Sequence, residues 1–262
     1  MYETAKKYFL DFIDSNFDLN DAKVSHKLQH TFYVVDNAQY ICQSLGLNTE
    51  DTQLAMLIAL LHDIGRFDQA QQMHSFREDI LNYDHATLGV KFLFETGAIR
   101  HFIETNQYDN IIKKAIGNHS KYILEESNLT DKELLHCKII RDADKLDSFR
   151  TKSTEDIFTM ANITSEEIET SNITDKVFDD FMSEKTILSK DRKTGIDIWI
   201  SYIAFVFGLE FSCSLKLVKD KDYVNILFNR FDYKLDRDRM DILKTKALEY
   251  VERKSKNEAN SI

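Results

Sequence analysis

The chain has 262 residues, 43% hydrophobic and 30% charged, which is ordinary globular composition with length enough for one large core or two coupled ones. A net charge of −10 with no obvious basic face argues against gripping long nucleic acid, whereas a small anion stays possible because a bound metal inverts the local potential. The absence of proline and the presence of only seven glycines predict an all-α protein.

Cys42, Cys137 and Cys213 are far apart and form no CxxC, so thiolate zinc sites and a disulfide framework are not expected, and all three are predicted to be small buried residues. Residues 1–7 lack the apolar stretch of a signal peptide. The longest apolar region, 196–218, is interrupted by Asp197, Glu210 and Lys216 and is predicted to be one buried core helix rather than a membrane span. The expectation is a cytoplasmic, reduced protein without a membrane partner.

In chain order, residues 25–45 place His30, Val34, Ala38, Ile41 and Leu45 on one helical face. The capping turn 47–50 opens a helix that is apolar on every side over 54–61 and ends at His62-Asp63, with Gly65 expected to close it. Residues 66–83 are polar and aperiodic, predicting a long loop that overhangs the pair. Helices are predicted over 84–97, over 108–119 with Ile112, Ala115, Ile116 and His119 on one face, and over 131–146 with Ile140 and Asp144 stacked four apart. Beyond Phe149 the composition turns acidic, and 151–189 is predicted to be small exposed helices and loops. A helix over 199–217, a short one over 223–231 and an amphipathic one over 236–253 follow, with a frayed tail.

His30, His119 and Asp144 each extend an apolar helical face by one step and so point inward. His62 and Asp63 are consecutive and about 100° apart around a helix axis, so both can reach one metal, or the carboxylate can bridge two. Any one of these residues alone fits a hydrogen-bonded core histidine or a capping aspartate. Their convergence in this order is the sharper signal. His26, His101 and His136 are expected at the surface or flanking helices.

The segments 27–31 (KLQHT), 60–66 (LLHDIGR) and 140–146 (IRDADKL) resemble the signature of the HD-domain superfamily of metal-dependent phosphohydrolases. The resemblance spans about residues 20–150. It implies an HD-domain helical bundle over 1–150 and an additional helical extension over 151–262 that shapes the substrate site. By resemblance, His30, His62, Asp63 and Asp144 form the shared metal site, and His85 and His119 stand where some HD families hold a second ion. Ser120, in place of a second adjacent histidine, departs from the cyclic-dinucleotide phosphodiesterases and is closer to enzymes acting on mononucleotides or dinucleoside polyphosphates.

The implied cofactor is one or two divalent ions among Mn, Fe, Co and Zn, with Asp63 as the bridging group. The implied function is hydrolysis of a small phosphorylated substrate, a nucleotide or dinucleotide, by metal-activated hydroxide. Arg66 and Lys145 are the cations placed to meet phosphate charge; Arg66 equally fits a helix C-terminal cation. A di-iron oxygenase using the same ligand types and a non-catalytic nucleotide-sensing module stay open as alternatives.

Overall fold

Without proline, apolar faces of period 3.6 propagate as helices, and every regular element among the described residues is helical. The computed structural model describes residues 1–73 and 84–256 and divides into two units, Met1–Asp144 and Lys145–Ile262.

The first unit holds α1 (Tyr2–Asn16), α2 (Ala22–Ser44), α3 (Thr49–Leu61), α4 (Ile64–Met73), α5 (His85–Glu95), α6 (Ile99–Phe102), α7 (Asp109–Asn118) and the part of α8 (Asp131–Thr154) that ends at Asp144. Its centre is α3, where every residue from Leu54 to Leu61 is buried; α1, α2 and α7 pack on it. Side-chain caps set the helix starts. Asp21 accepts from the Lys23 and Val24 amides, Asn48 from Asp51, and Asp84 from Thr87; each such cap contributes about 1 kcal/mol.

Residues 66–73, expected as loop, are helical, because Ile64, Phe67 and Ala70 recur every third position and bury an apolar stripe beneath a polar surface. The rest of the expected overhanging loop, 74–83, lies outside the described residues. Gly65 does not close α3 but sits inside α4. A Cβ there would stand 2.6 Å from the His85 carbonyl oxygen and 3.0 Å from the Gly89 nitrogen, so α4 and α5 meet backbone to backbone. The helix predicted over 131–146 continues to Thr154.

The second unit continues from Lys145 with α9 (Ile157–Ala161), α10 (Ser165–Glu169), α11 (Asp175–Met182), α12 (Gly195–Ile203), α13 (Ser212–Asp220), α14 (Tyr223–Phe228) and α15 (Arg237–Ser255). The segment 151–189 is not merely exposed: Ile157, Ile163, Ile168, Ile173, Val177 and Phe181 are buried and anchor it. The single helix expected over 199–217 is broken into α12, a 3-10 segment Ala204–Gly208 and α13, with extended backbone at Leu209 and Phe211 between them. Gly208 allows the break, since a Cβ there would lie 2.9 Å from Thr186 Cγ2.

Cys42 and Cys137 are buried as expected, Cys213 only half so, and all three are free thiols. No helix among the described residues is long and apolar enough to cross a membrane.

Asp197, one of the charges that interrupt the apolar run 196–218, is the polar anchor of this unit. Fully buried, it accepts from the amides of Thr174 (3.0 Å), Lys193 (3.0 Å) and Thr194 (3.3 Å) and from the Thr174 hydroxyl (3.1 Å), while Thr194 caps the Asp197 amide in return. Asp197→Ala strands several buried donors at once and is expected to lower unfolding free energy by about 2–4 kcal/mol in chemical denaturation. A loss below about 0.5 kcal/mol, the scale of an ordinary surface substitution, would contradict this anchoring role.

Candidate metal centre

Asp63 lies in the two-residue step between α3 and α4, 4% exposed, and its two oxygens face different partners. Oδ2 is 2.6 Å from Lys27 Nζ and 3.5 Å from both His30 Nε2 and His62 Nε2. Oδ1 is 3.2 Å from His85 Nε2, 3.6 Å from His119 Nε2 and 3.7 Å from Arg66 Nε. Asp144 joins the Oδ2 side, its Oδ1 lying 3.3 Å from His30 Nε2 and 3.9 Å from His62 Nε2. The potential ligand atoms of His30, His62 and Asp144 lie within 4.8 Å of one another, and so do those of His62, Asp63 and His119.

Each side chain is held by a local device. His62 and His119 both follow the last residue of a helix, and each Nδ1–H donates to the carbonyl three residues back, Ala59 at 2.7 Å and Ile116 at 2.6 Å. That tautomer leaves Nε2 as the lone-pair atom, turned toward the carboxylates. His85 opens α5, and the Gly65 contact brings its backbone against α4; its Nε2 stands 2.9 Å from His119 Nε2. Arg141 fastens the end of α7 by donating to the carbonyls of Asn118 (2.8 Å), His119 (3.4 Å) and Lys121 (2.5 Å). Asn37 Nδ2 donates to the Ala143 carbonyl at 3.0 Å and ties the turn of α8 that carries Asp144 to α2.

Burial pushes the His62 ring down to about 4, against the pull of Asp63 and Asp144, so it is neutral at physiological pH. Burial alone would raise the Asp63 carboxyl. Lys27 and His62, with the polar contacts of His119 and His30, overrule it and hold Asp63 well below the usual carboxylate range. At Asp144, burial and the Asp63 charge also push upward, but His30 and His62 prevail and its carboxyl is held low. Two buried carboxylates thus stay ionised beside the neutral His62 ring.

These residues fit a divalent ion. The fully buried His62 Nε2 has no hydrogen-bond partner and turns its lone pair toward two carboxylate oxygens, an arrangement that a shared cation stabilises. Imidazole nitrogen with carboxylate oxygen suits Zn, Fe, Mn or Co.

The six residues expected to ligate metal, His30, His62, Asp63, His85, His119 and Asp144, all meet in the first unit. Arg66 stands on the Oδ1 side with its NH1 donating to Gln69 Oε1 at 2.7 Å; it lies in the first turn of α4, so its alternative role as a C-terminal cation does not apply. Lys145 belongs to the second unit, where its aliphatic chain runs beside Gly208: a Cβ at Gly208 would stand 3.3 Å from Lys145 Cε. Lys27 was missed as a site residue, although its position three before His30 puts it on the same helical face. His136, expected near the surface, is buried with Nε2 3.4 Å from Asp51 Oδ1.

Fold and donor set together define an all-helical protein built around a buried histidine–carboxylate cluster. Residues 28–148 match the family model described as HD domain, so this segment is similar to the HD-domain superfamily of metal-dependent phosphohydrolases. The family is helical and binds divalent metals. All six clustered residues fall inside the matched segment, and Lys27 lies one residue before it. Comparison with curated proteins and with solved structures gave no match.

If Asp63 serves two ions, replacing His85 and His119 together by Ala is expected to reduce bound metal from about two ions toward about one while the helical circular dichroism is kept. Unchanged stoichiometry in elemental analysis would remove both histidines from the ligand set. The metal-free protein is also expected to lose stability in acid. His62, Asp63, Asp144 and the buried His136 all titrate lower in the folded chain than in the unfolded one, so unfolding takes up protons. The histidine contribution is complete above the unfolded value of 6.5 and is lost as pH falls through about 4, the folded His62 value, whereas that of the two aspartates is lost only below the ordinary carboxyl value of 3.8. Thermal unfolding of chelator-treated protein from neutral pH to pH ~4 checks this; a melting temperature that stays flat or rises toward acid would contradict it.

Proposed function

We propose that the protein is a metal-dependent phosphohydrolase acting on a small phosphorylated substrate, a nucleotide or dinucleotide. The observation that carries this reading is the division of the Asp63 carboxylate, one oxygen toward His30 and His62 and the other toward His85 and His119. Bound divalent ions supply Lewis-acid polarisation of a phosphoryl oxygen and lower the pKa of water.

The chain's own residues do the rest. Nδ1–H bonds to backbone carbonyls fix the rings of His62 and His119, so little reorganisation is needed when charge develops. His62 and His85 are closed off from solvent, whereas the Asp144 side chain is 33% exposed and marks the side from which a substrate approaches. Arg66 presents its guanidinium beside Asp63 Oδ1, where it meets the growing negative charge of a phosphoryl group. The net charge of −10 favours a small substrate held by local cations over a long polyanion.

A panel of phosphorylated metabolites, tested with protein loaded separately with Mn, Fe, Co and Zn, is expected to release phosphate or a nucleotide product from at least one nucleotide or dinucleotide. Asp63→Ala is expected to be inactive. Arg66→Ala is expected to keep its metal and lose turnover by about 10²–10³, the scale for one lost charge-stabilising group. Metal-replete protein that releases no such product yet consumes oxygen with a polyol or phosphonate would establish the oxygenase instead. Tight nucleotide binding without turnover would establish the sensor.

A further inference from the structure

The two oxygens of Asp63 are not equivalent in the cations they already hold. Lys27 Nζ lies 2.6 Å from Oδ2, in hydrogen-bond contact, with only 12% of its side chain exposed. On the other oxygen the corresponding cation, Arg66 Nε, stands at 3.7 Å, and NH1 of that guanidinium also donates to Gln69 Oε1. A charge-assisted contact of 2.6 Å to a nearly buried carboxylate is strong, and it falls on the oxygen that faces His30 and His62. Lys27 and His30 come from the same face of α2, three residues apart, so the helix that delivers a nitrogen ligand to this side also delivers a competing positive charge.

We propose that Lys27 is a built-in competitor for Asp63 Oδ2, an ammonium that weakens ion binding on the His30–His62–Asp144 side and leaves the His85–His119 side the tighter of the two. The inference rests on the metal-centre reading above and adds to it an order of filling. An ion arriving on the Oδ2 side either displaces the ammonium from its carboxylate or binds with a unit positive charge a few ångström away, and both outcomes lower its affinity. Lys27 therefore acts through Asp63 as a positioning residue that sets the metal concentration at which the centre fills.

The test is equilibrium binding of Mn²⁺ to chelator-stripped full-length protein, comparing the parent with Lys27→Met and Lys27→Arg. Lys27→Met is expected to tighten the weakest-bound ion by about tenfold or more, and Lys27→Arg, which keeps the charge, to stay within about threefold of the parent. If the parent binds no Mn²⁺, the metal-centre reading itself falls. If the parent binds and Lys27→Met binds equally or more weakly, only the role of Lys27 is overturned. Should stripped Lys27→Met be unfolded, the ion is expected to take over the ammonium's place: recovery of helical circular dichroism on adding Mn²⁺ supports the proposal, and failure to recover overturns it.

Discussion

The structure turns on one ionised carboxylate buried just past the end of α3, a helix whose last eight residues are all buried. Asp63 follows nine consecutive buried residues, Leu54 to His62, and a lone carboxylate in such a place would protonate or unfold its surroundings. It stays ionised because four helices besides its own bring cations or polarised nitrogens to it: α2 brings Lys27 and His30, α4 Arg66, α5 His85, and the end of α7 His119. The first unit is arranged around that requirement. The Gly65 contact, the Arg141 clamp and the Asn37 tie each hold one ligand-bearing segment in place.

Helix ends do the positioning. His62 and His119 use the same device, a ring at the first residue past a helix whose Nδ1–H returns to a carbonyl of the last turn. The bond satisfies an orphan carbonyl and orients the ring in one stroke. A catalytic constellation gains from such anchoring, because ligands fixed before binding lose little freedom when an ion or substrate arrives.

Much of this was legible in the sequence because the decisive residues continue apolar faces. His30 extends Val34, Ala38 and Ile41, and His119 extends Ile112, Ala115 and Ile116, so inward direction followed from period alone. The unread parts have physical reasons. Residues 66–73 hide a three-residue apolar period under polar side chains, so a helix looked like a loop. The apolar run 199–217 hid a break, because hydrophobicity marks burial but not backbone direction and only the close approach at Gly208 reveals the turn. Lys27 and Asp197 were underrated for one shared reason: a charged residue looks solvated until its partners from distant segments are known, and those partners are set by tertiary structure.

In this reading one carboxylate, Asp63, joins two cation sites. Electron paramagnetic resonance of the Mn²⁺-saturated protein addresses this most directly, since two manganese ions sharing a carboxylate couple magnetically and isolated ones do not. The expected result is the multiline spectrum of an exchange-coupled pair, replaced in Asp63→Ala by the spectrum of uncoupled Mn²⁺ or by no bound signal. A saturated parent protein that shows only the six-line spectrum of isolated Mn²⁺ would contradict the claim.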